Sequence, residues 1–383
     1  MEVGMSVVSK RILWIDIVRA VGMLFIIWGH SLKEWQSYQA AFFLTVNVPI
    51  FFALSGYLYH PQKVMKQVYK FVFNLLLPYF FTAFVIIFVS FVSNHVPHGA
   101  TIMSIGSDKD TFKAFIFGMG GTAPLIGTKI IMPQIGAIWF LVALFWDSIV
   151  FNMMMKKLDQ KTGGFWLGGL ITICMAIFGF WLTPFHSGIH VNGELPWSLN
   201  ATMIGLFFMW FGQLMKRIPQ IWKSKRLGWL LVLVSTVVYL LVCYHDRGYH
   251  FGMATAVANS WTITMIGSLS GCVVMLLSAY WIEQQLKETK WQRGLVAIAH
   301  YGQASLVVLC FHIMELNLIN PGTFISSWTH FPPAIDTFTI VLYRIAVSLI
   351  AIWIVKHSSF LSKIFVNRQN PFKFQERIRF KND

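Results

Sequence analysis

The sequence predicts an all-α, polytopic integral membrane protein of about ten transmembrane helices, with the N and C termini both cytoplasmic. Three observations predict it. The 383 residues are 56% hydrophobic and 12% charged, about half the charge of an ordinary soluble domain, and the mean hydropathy is +0.62. Ten separate apolar runs are long enough to cross about 30 Å of hydrocarbon as helix. Lysines and arginines collect in every second connection, as cytoplasmic loops require. The net charge of +15 therefore reads as topology. A soluble basic protein would invite a nucleic-acid partner, and none is expected here; the expected partner is the lipid bilayer.

The runs follow one another with short connections. The first, 13–32, starts after Lys10-Arg11 and carries Asp16, Arg19 and His30. It is too long for a signal peptide and lacks a small-residue cleavage site, so it is expected to remain as a span. The second, 40–59, contains Pro49 and Gly56, which loosen a helix ladder where the freed groups face protein or a cavity. The third, 71–93, follows Lys63, Lys66 and Lys70. A long outer loop, 94–135, leads to the fourth, 136–155, which ends at Lys156-Lys157. The fifth and sixth are 165–183 and 197–215, the latter closed by Lys216-Arg217. The seventh, 227–244, follows Lys223, Lys225 and Arg226. The last three are 261–282, 295–316 and 337–355.

With both termini inside, 23 of the 30 Lys and Arg fall on the cytoplasmic side. Only Lys33, Lys109, Lys113, Lys129 and Arg247 fall outside, and Arg19 and Arg344 lie within spans. The domain reading is one membrane domain, 1–356, followed by a basic cytoplasmic tail, 357–383. The tail's segment 372–380 has the composition to lie on an anionic inner leaflet or to stay solvated. The cysteines, Cys174, Cys243, Cys272 and Cys310, lack CxxC spacing and read as buried small hydrophobes. Seven histidines, His95, His98, His186, His190, His245, His250 and His330, are spread over the outer loops, without the tight grouping that a metal site shows. No metal is expected.

Chemistry is sought among ionisable residues within the spans, because each is costly in hydrocarbon unless paired, cavity-facing or functional. Arg19 and His30 stand eleven positions apart. At 100° per residue that is three turns plus about 20°, so they share one helix face about 16 Å apart. Asp16 lies one turn before Arg19, and Glu34 one turn after His30. An arginine at the inner mouth suits phosphate, as a permanent bidentate cation. A histidine beside a carboxylate suits general base work. The same Asp-Arg pair also reads as topogenic, and a lone histidine at the outer interface as a satisfied polar residue. Near the outer end of the ninth run, His312 and Glu315 are one turn apart and able to sit opposite His30 and Glu34. Asp147 and Arg344 are further charges at membrane depth, with partners the sequence leaves open.

Four stretches carry a resemblance. The first is Ile15-Asp16-Ile17-Val18-Arg19-Ala20 with His30 following Arg19 after ten residues. The second is Val48-Pro49-Ile50-Phe51-Phe52-Ala53-Leu54-Ser55-Gly56-Tyr57. The third is Ile138-Trp139-Phe140-Leu141, and the fourth runs from Gly302 and Ser305 to Phe311-His312. In order, spacing and span number the chain resembles the acyltransferase-3 family of polytopic membrane O-acyltransferases, over essentially its whole length. Relatives acting on saccharides often carry Phe-His-Met-Pro where this chain has Val46-Asn47-Val48-Pro49, which sets the acceptor contacts apart. Some relatives also carry a fused extracytoplasmic domain that receives the acyl group. A separate extracytoplasmic acyl-accepting protein is therefore an expected partner.

The resemblance implies transfer of an acyl group, acetyl above all, from cytoplasmic acyl-CoA to a hydroxyl of a cell-envelope polysaccharide or other surface glycan, in a bacterial plasma membrane. It implies His30 and Glu34 as the catalytic pair, Arg19 and Asp16 at the acetyl-CoA, and Ser55, Trp139, His312 and Glu315 as substrate-binding or supporting residues. Ser55 also reads as bonding back to its own helix, and Phe51, Phe52, Trp139 and Phe140 as packing residues. Trp197 and Glu194 are outer-loop groups able to hold a glycan. The alternatives from other classes are a secondary transporter, expected to show paired halves and interrupted helices in matching positions, and a non-catalytic scaffold for glycan export.

Overall fold

Long apolar helices account for most of the chain in the computed structural model, which describes residues 12–34, 36–96, 107–128, 130–182, 193–247, 251–319 and 333–367. The first span is α1 (Leu13–Ser31). The second is split into α2 (Tyr38–Leu44) and α3 (Pro49–Tyr57). The third comprises α4 (Val64–Phe71), a π-helical turn (Val72–Leu76) and α5 (Leu77–His95). After α6 (Asp108–Phe117) comes a small antiparallel hairpin, β1 (Ala123–Pro124) with β2 (Ile131–Met132). Four more structures lead on: α7 (Trp139–Leu158), α8 (Gly164–Trp181), α9 (Leu199–Arg217) and the short α10 (Pro219–Lys223). Then come α11 (Lys225–His245) and α12 (Trp261–Leu286). The ninth span is a pair, α13 (Gln292–Gln303) and α14 (Ser305–Leu318), bent by 60°. The tenth is α15 (Pro333–His357), followed by α16 (Ser359–Phe365).

Among the described residues, nine helical runs are long and apolar enough to cross a membrane, and the bent pair makes a tenth. Each predicted span has its counterpart, with ends shifted by less than two helical turns. Three spans are interrupted; the sequence reading expected a loosened ladder in the second and did not anticipate the breaks in the third and ninth. Pro49 opens α3 at its first turn, where its missing N–H costs nothing. Pro78 lies in the first turn of α5, and just before it the ladder widens, with Leu77 N–H bonding the Val72 carbonyl across the π turn. The ninth span, read as one continuous helix, breaks at Ala304 between Gly302 and Ser305, residue types at which helices kink.

α1 is the hub, packed against α2, α3, α12, α13, α14 and α15. Its charged residues therefore meet protein instead of lipid. Both ends are pinned. At its start, Trp14 N–H donates to Glu283 Oε2 of α12 at 3.1 Å, a carboxylate at a helix N-terminus. At its finish, Arg344 Nη1 of α15 donates to Ser31 Oγ at 2.7 Å. Just beyond, Lys33 pairs with Asp336 at 2.6 Å, so α15 begins at the end of the bundle where α1 stops. Leu13 and His357 mark the near end of the bundle, and Ser31 and Pro333 the far end. α13 meets α1 backbone to backbone, since a Cβ on Gly302 would fall 1.8 Å from the Asp16 carbonyl oxygen. α3 and α9 interlock in the same manner: a Cβ on Gly56 would fall 1.9 Å from Met209 O, and one on Gly212 1.9 Å from Ala53 O. Small residues permit such approach where no hydrophobic effect drives helices together.

Residues 107–128 fold back as a cap on the far end. Ser198 straps it, its Oγ donating to Gly118 O and accepting from Gly120 N–H, both at 3.1 Å. Trp197 Nε1 donates to Ile116 O at 3.0 Å. Glu194 N–H donates to Pro124 O at 2.8 Å and Ile126 N–H to Glu194 O at 3.1 Å. Trp197 and Ser198 hold left-handed φ of 60° and 51°, a conformation kept only where the surroundings enforce it. At the near end α16 docks on the bundle through Ile364 and Phe365, the latter against Phe81 and Phe311. The basic segment 372–380 lies outside the described residues.

Candidate active site

A cavity of about 1020 Å³ runs along α1 through the depth of the bundle. Its wall follows one helix face from Asp16 and Arg19 through Met23 and Ile26 to His30, and it ends beneath the cap at Gly120, Gly121, Gln134 and Thr255. The shared face expected for Arg19 and His30 is thus the wall of one chamber. Ser55 and Trp139 also line it.

At the near end Arg19 Nη1 pairs with Asp16 Oδ1 at 2.8 Å. Asp16 is buried and Arg19 about one-third exposed, so the carboxylate anchors the guanidinium and leaves the rest of its fork to the cavity. His300 and Lys356, both exposed, line the same end. The middle is mainly apolar, with Met23, Ile26, Leu54 and Phe51 in the wall.

At the far end His30 Nδ1 and His312 Nε2 are 3.0 Å apart, with the rings stacked at 5.2 Å. His312 Nδ1 lies 3.5 Å from Glu315 Oε2, and Arg344 Nε lies 3.3 Å from the same oxygen. Those are ion-pair separations, looser than a close charge-assisted bond of about 2.7–2.9 Å, and Oε2 has no strictly aligned hydrogen bond. Ser31 Oγ, which accepts from Arg344, donates its own proton to Ile27 O at 2.7 Å. Three helices therefore deliver one chain of groups: His30, His312, Glu315, Arg344.

The protons follow once the 3.5 Å gap between His312 and Glu315 closes to a hydrogen bond. A carboxylate only accepts, so the His312 nitrogen facing Glu315 would then carry the hydrogen. In the neutral ring His312 Nε2 is then the acceptor, and His30 Nδ1 must donate to it. The basic lone pair of His30 accordingly sits on Nε2. The pattern is that of a carboxylate orienting an imidazole, with a second imidazole inserted.

Glu34 falls elsewhere. α1 ends at Ser31, Leu32 is extended at ψ 137°, and Glu34 is exposed beyond the helix; the described contacts of the His30 chain run through His312 and Glu315 instead. Ser55 Oγ donates to Phe51 O at 2.9 Å, the back-bond to its own helix, and still borders the cavity. Trp139 is buried under Gly120, whose Cβ would fall 2.5 Å from the indole. Phe140 packs edge-on against Phe51 and Phe52. Glu194 and Trp197 belong to the cap strap and are not in the cavity wall. Burial raises the Glu194 carboxyl to about 8, and neither of its oxygens has a hydrogen-bond partner among the described residues. Asp147 is fully buried beside Gly205, with both carboxylate oxygens unpartnered among the described residues. No group of three His, Cys, Asp or Glu able to hold a metal occurs among the described residues; His98, His186, His190, His250 and His330 lie outside them.

Sequence reasoning noted Arg344 as a charge in the last span without finding its partner, and missed Asn74, Gln303 and Asn47, polar residues that also line the cavity. The signal for Asn74 and Gln303 was a carboxamide beside a helix break.

Comparison with protein families gives one match, to an acyltransferase domain, over residues 12–355. Comparisons with curated proteins and with solved structures give no match. The helical bundle and the matched domain define a polytopic membrane acyltransferase. The chain belongs to the acyltransferase-3 family.

Proposed function

We propose that this acyltransferase moves an acyl group, acetyl in the first instance, from cytoplasmic acyl-CoA to a hydroxyl of a cell-envelope glycan, in a bacterial plasma membrane. The observation that carries this reading is the single cavity with a cationic near end at Arg19 and an imidazole relay at His30 toward the far end. The positive-inside pattern puts the near end in the cytoplasm. The wall fits such a donor: Arg19, His300 and Lys356 suit phosphates, and the middle suits an uncharged arm.

In this reading Asp16 orients Arg19 on a phosphate, while His30 waits at the thioester. Acyl-CoA supplies an acyl carbon activated as a thioester: the acceptor oxygen bonds to that carbon, the carbon–sulfur bond breaks, and the thiolate leaves. His30 Nε2 takes the acceptor's hydroxyl proton and returns it to the leaving sulfur. Glu315, acting through His312, takes the orienting role that the sequence reading gave to Glu34. The cap segments around Gly120, Gly121 and Thr255 border the acceptor's entry.

Proton NMR of the host's surface glycans tests the reading, with the gene deleted and then restored as wild type or His30→Ala. Loss of one O-acyl signal that only wild type restores supports it and identifies the acceptor. Unchanged esters on deletion contradict a glycan acceptor.

A further inference from the structure

Between Arg19 and His30 the cavity wall is mainly apolar, its polar groups being the Ser55 and Ser305 hydroxyls and a few carboxamides, and the placement of the carboxamides is specific. Gln303 adjoins Gly302, which touches α1 at Asp16 and Ala20, so Gln303 lies level with Arg19. Asn74 sits in the π-helical turn, one turn into the apolar run of the third span, and lines the same cavity. A π turn adds one residue to the ladder and re-aims the side chains around it, a device concentrated at functional sites. Asn47 is higher. Leu44 packs on Gly29 and Phe51 on Gly22, so Asn47 lies at a depth between those two glycines, on the way to His30.

The amides of Asn74 and Gln303 have no hydrogen-bond partner among the described residues. Asn47 Oδ1 accepts from Val48 N–H at 2.8 Å, leaving its amino group as a donor. All three sit at helix interruptions, Asn47 between α2 and α3, Asn74 in the π turn and Gln303 at the Ala304 bend, so chain breaks that weaken the bundle coincide with polar groups at the cavity wall. Asn74 and Gln303 are half-buried in the cavity wall, so their amides are open to water or to a ligand that replaces it, and a ligand that failed to replace those bonds would lose about 1–3 kcal/mol for each. A row of carboxamides with open bonding capacity is accordingly matched to something that both donates and accepts at intervals.

We infer that Asn74, Gln303 and Asn47 form a subsite for the amide groups of a pantetheine arm, reading each amide as both donor and acceptor. This rests on the acyl-CoA reading and deepens it. A carboxamide offers one acceptor and two donors, which complements the N–H and C=O of an amide and offers nothing to a fatty chain. The subsite thus selects a pantetheine thioester over a lipid-linked acyl donor, and it sets the thioester's depth relative to His30.

Calorimetric titration of the full chain in lipid nanodiscs tests this, using two probes. One is a non-transferable thioether analogue of acetyl-CoA, and the other is adenosine 3′,5′-bisphosphate, which has the phosphates and no arm. Asn74→Leu and Gln303→Leu are each expected to weaken the analogue about three- to tenfold, the worth of a hydrogen bond or two, and to leave the nucleotide's affinity unchanged. Equal affinity of wild type and both variants for the analogue overturns the subsite and leaves the acyl-CoA reading standing. Wild type that binds neither probe contradicts the acyl-CoA reading, and the subsite with it. Should one variant lose both ligands through misfolding, the other, on a different helix, decides.

Discussion

The polar residues that matter here are held by partners far away in sequence. His30 meets His312, and Ser31 meets Arg344, across 282 and 313 positions. Glu315→Gln would replace an obligate acceptor with an amide that can donate to His312 Nδ1. In the proposed mechanism that reverses the chain of donors and puts the hydrogen on His30 Nε2, where it would block base catalysis. kcat is expected to fall by about 10²–10⁴ with the donor's Kd little changed, readable from thiol release in proteoliposomes. A second residue-scale prediction concerns Glu194. Its carboxyl rises to about 8 in the folded cap from an ordinary 4.5. The folded state thus holds a proton that the unfolded state gives up above pH 4.5. Stability is full below that value, declines as pH rises toward 8, and levels off beyond. Glu194→Gln, a neutral isostere, is expected to be indistinguishable in Tm at low pH and more stable than wild type by pH 8 to 9. Parallel Tm curves across that range would remove Glu194 as the cause. Sequence alone singled out Arg19, His30, His312 and Glu315, because a charge in an apolar run stands out. It did not place Glu34, since i,i+4 reasoning holds only while the helix continues, and α1 stops at Ser31.

Span existence was legible from hydropathy because the length of an apolar run is fixed by the thickness of hydrocarbon. Span continuity was not. Pro49 and Gly56 were recognised as loosening the second span, but the π turn before Pro78 and the bend at Ala304 depend on what the freed backbone groups face, which is a tertiary matter. The close helix pairs are equally hidden from sequence and open to test. Gly212→Ala would drive a methyl to 1.9 Å from the Ala53 carbonyl oxygen, forcing α9 from α3. Gln213 Nε2 donates to the Gly56 and Tyr59 carbonyls at 2.5 and 3.2 Å, so those bonds go with it. A cost of about 1–3 kcal/mol is expected, seen as a lower unfolding midpoint in detergent. Gly294→Ala, where nothing lies within 4 Å of the new methyl, is the control and should leave the midpoint unmoved.

At the scale of the whole molecule, one helix connects the two chemistries. α1 carries Arg19 near its start and His30 near its finish, the cation and the base of the proposed function, and its neighbours wrap it so that both open on one chamber. The basic loops predict which end faces the cytoplasm. Single cysteines at Lys157 and Lys223 are expected to react with an impermeant maleimide only after the cells are opened, and one at Thr128 from outside, in a Cys174→Ala background that removes the exposed native thiol. The reverse pattern would invert the donor and acceptor ends.

The most direct measurement is the acyl-transfer rate of purified protein in proteoliposomes supplied with acetyl-CoA and a hydroxyl acceptor, comparing wild type with His30→Ala. A loss of about 10² or more in kcat, with donor binding retained, is the result that base catalysis by His30 requires. A His30→Ala protein transferring at the wild-type rate would contradict it, and with it the relay from Glu315 through His312.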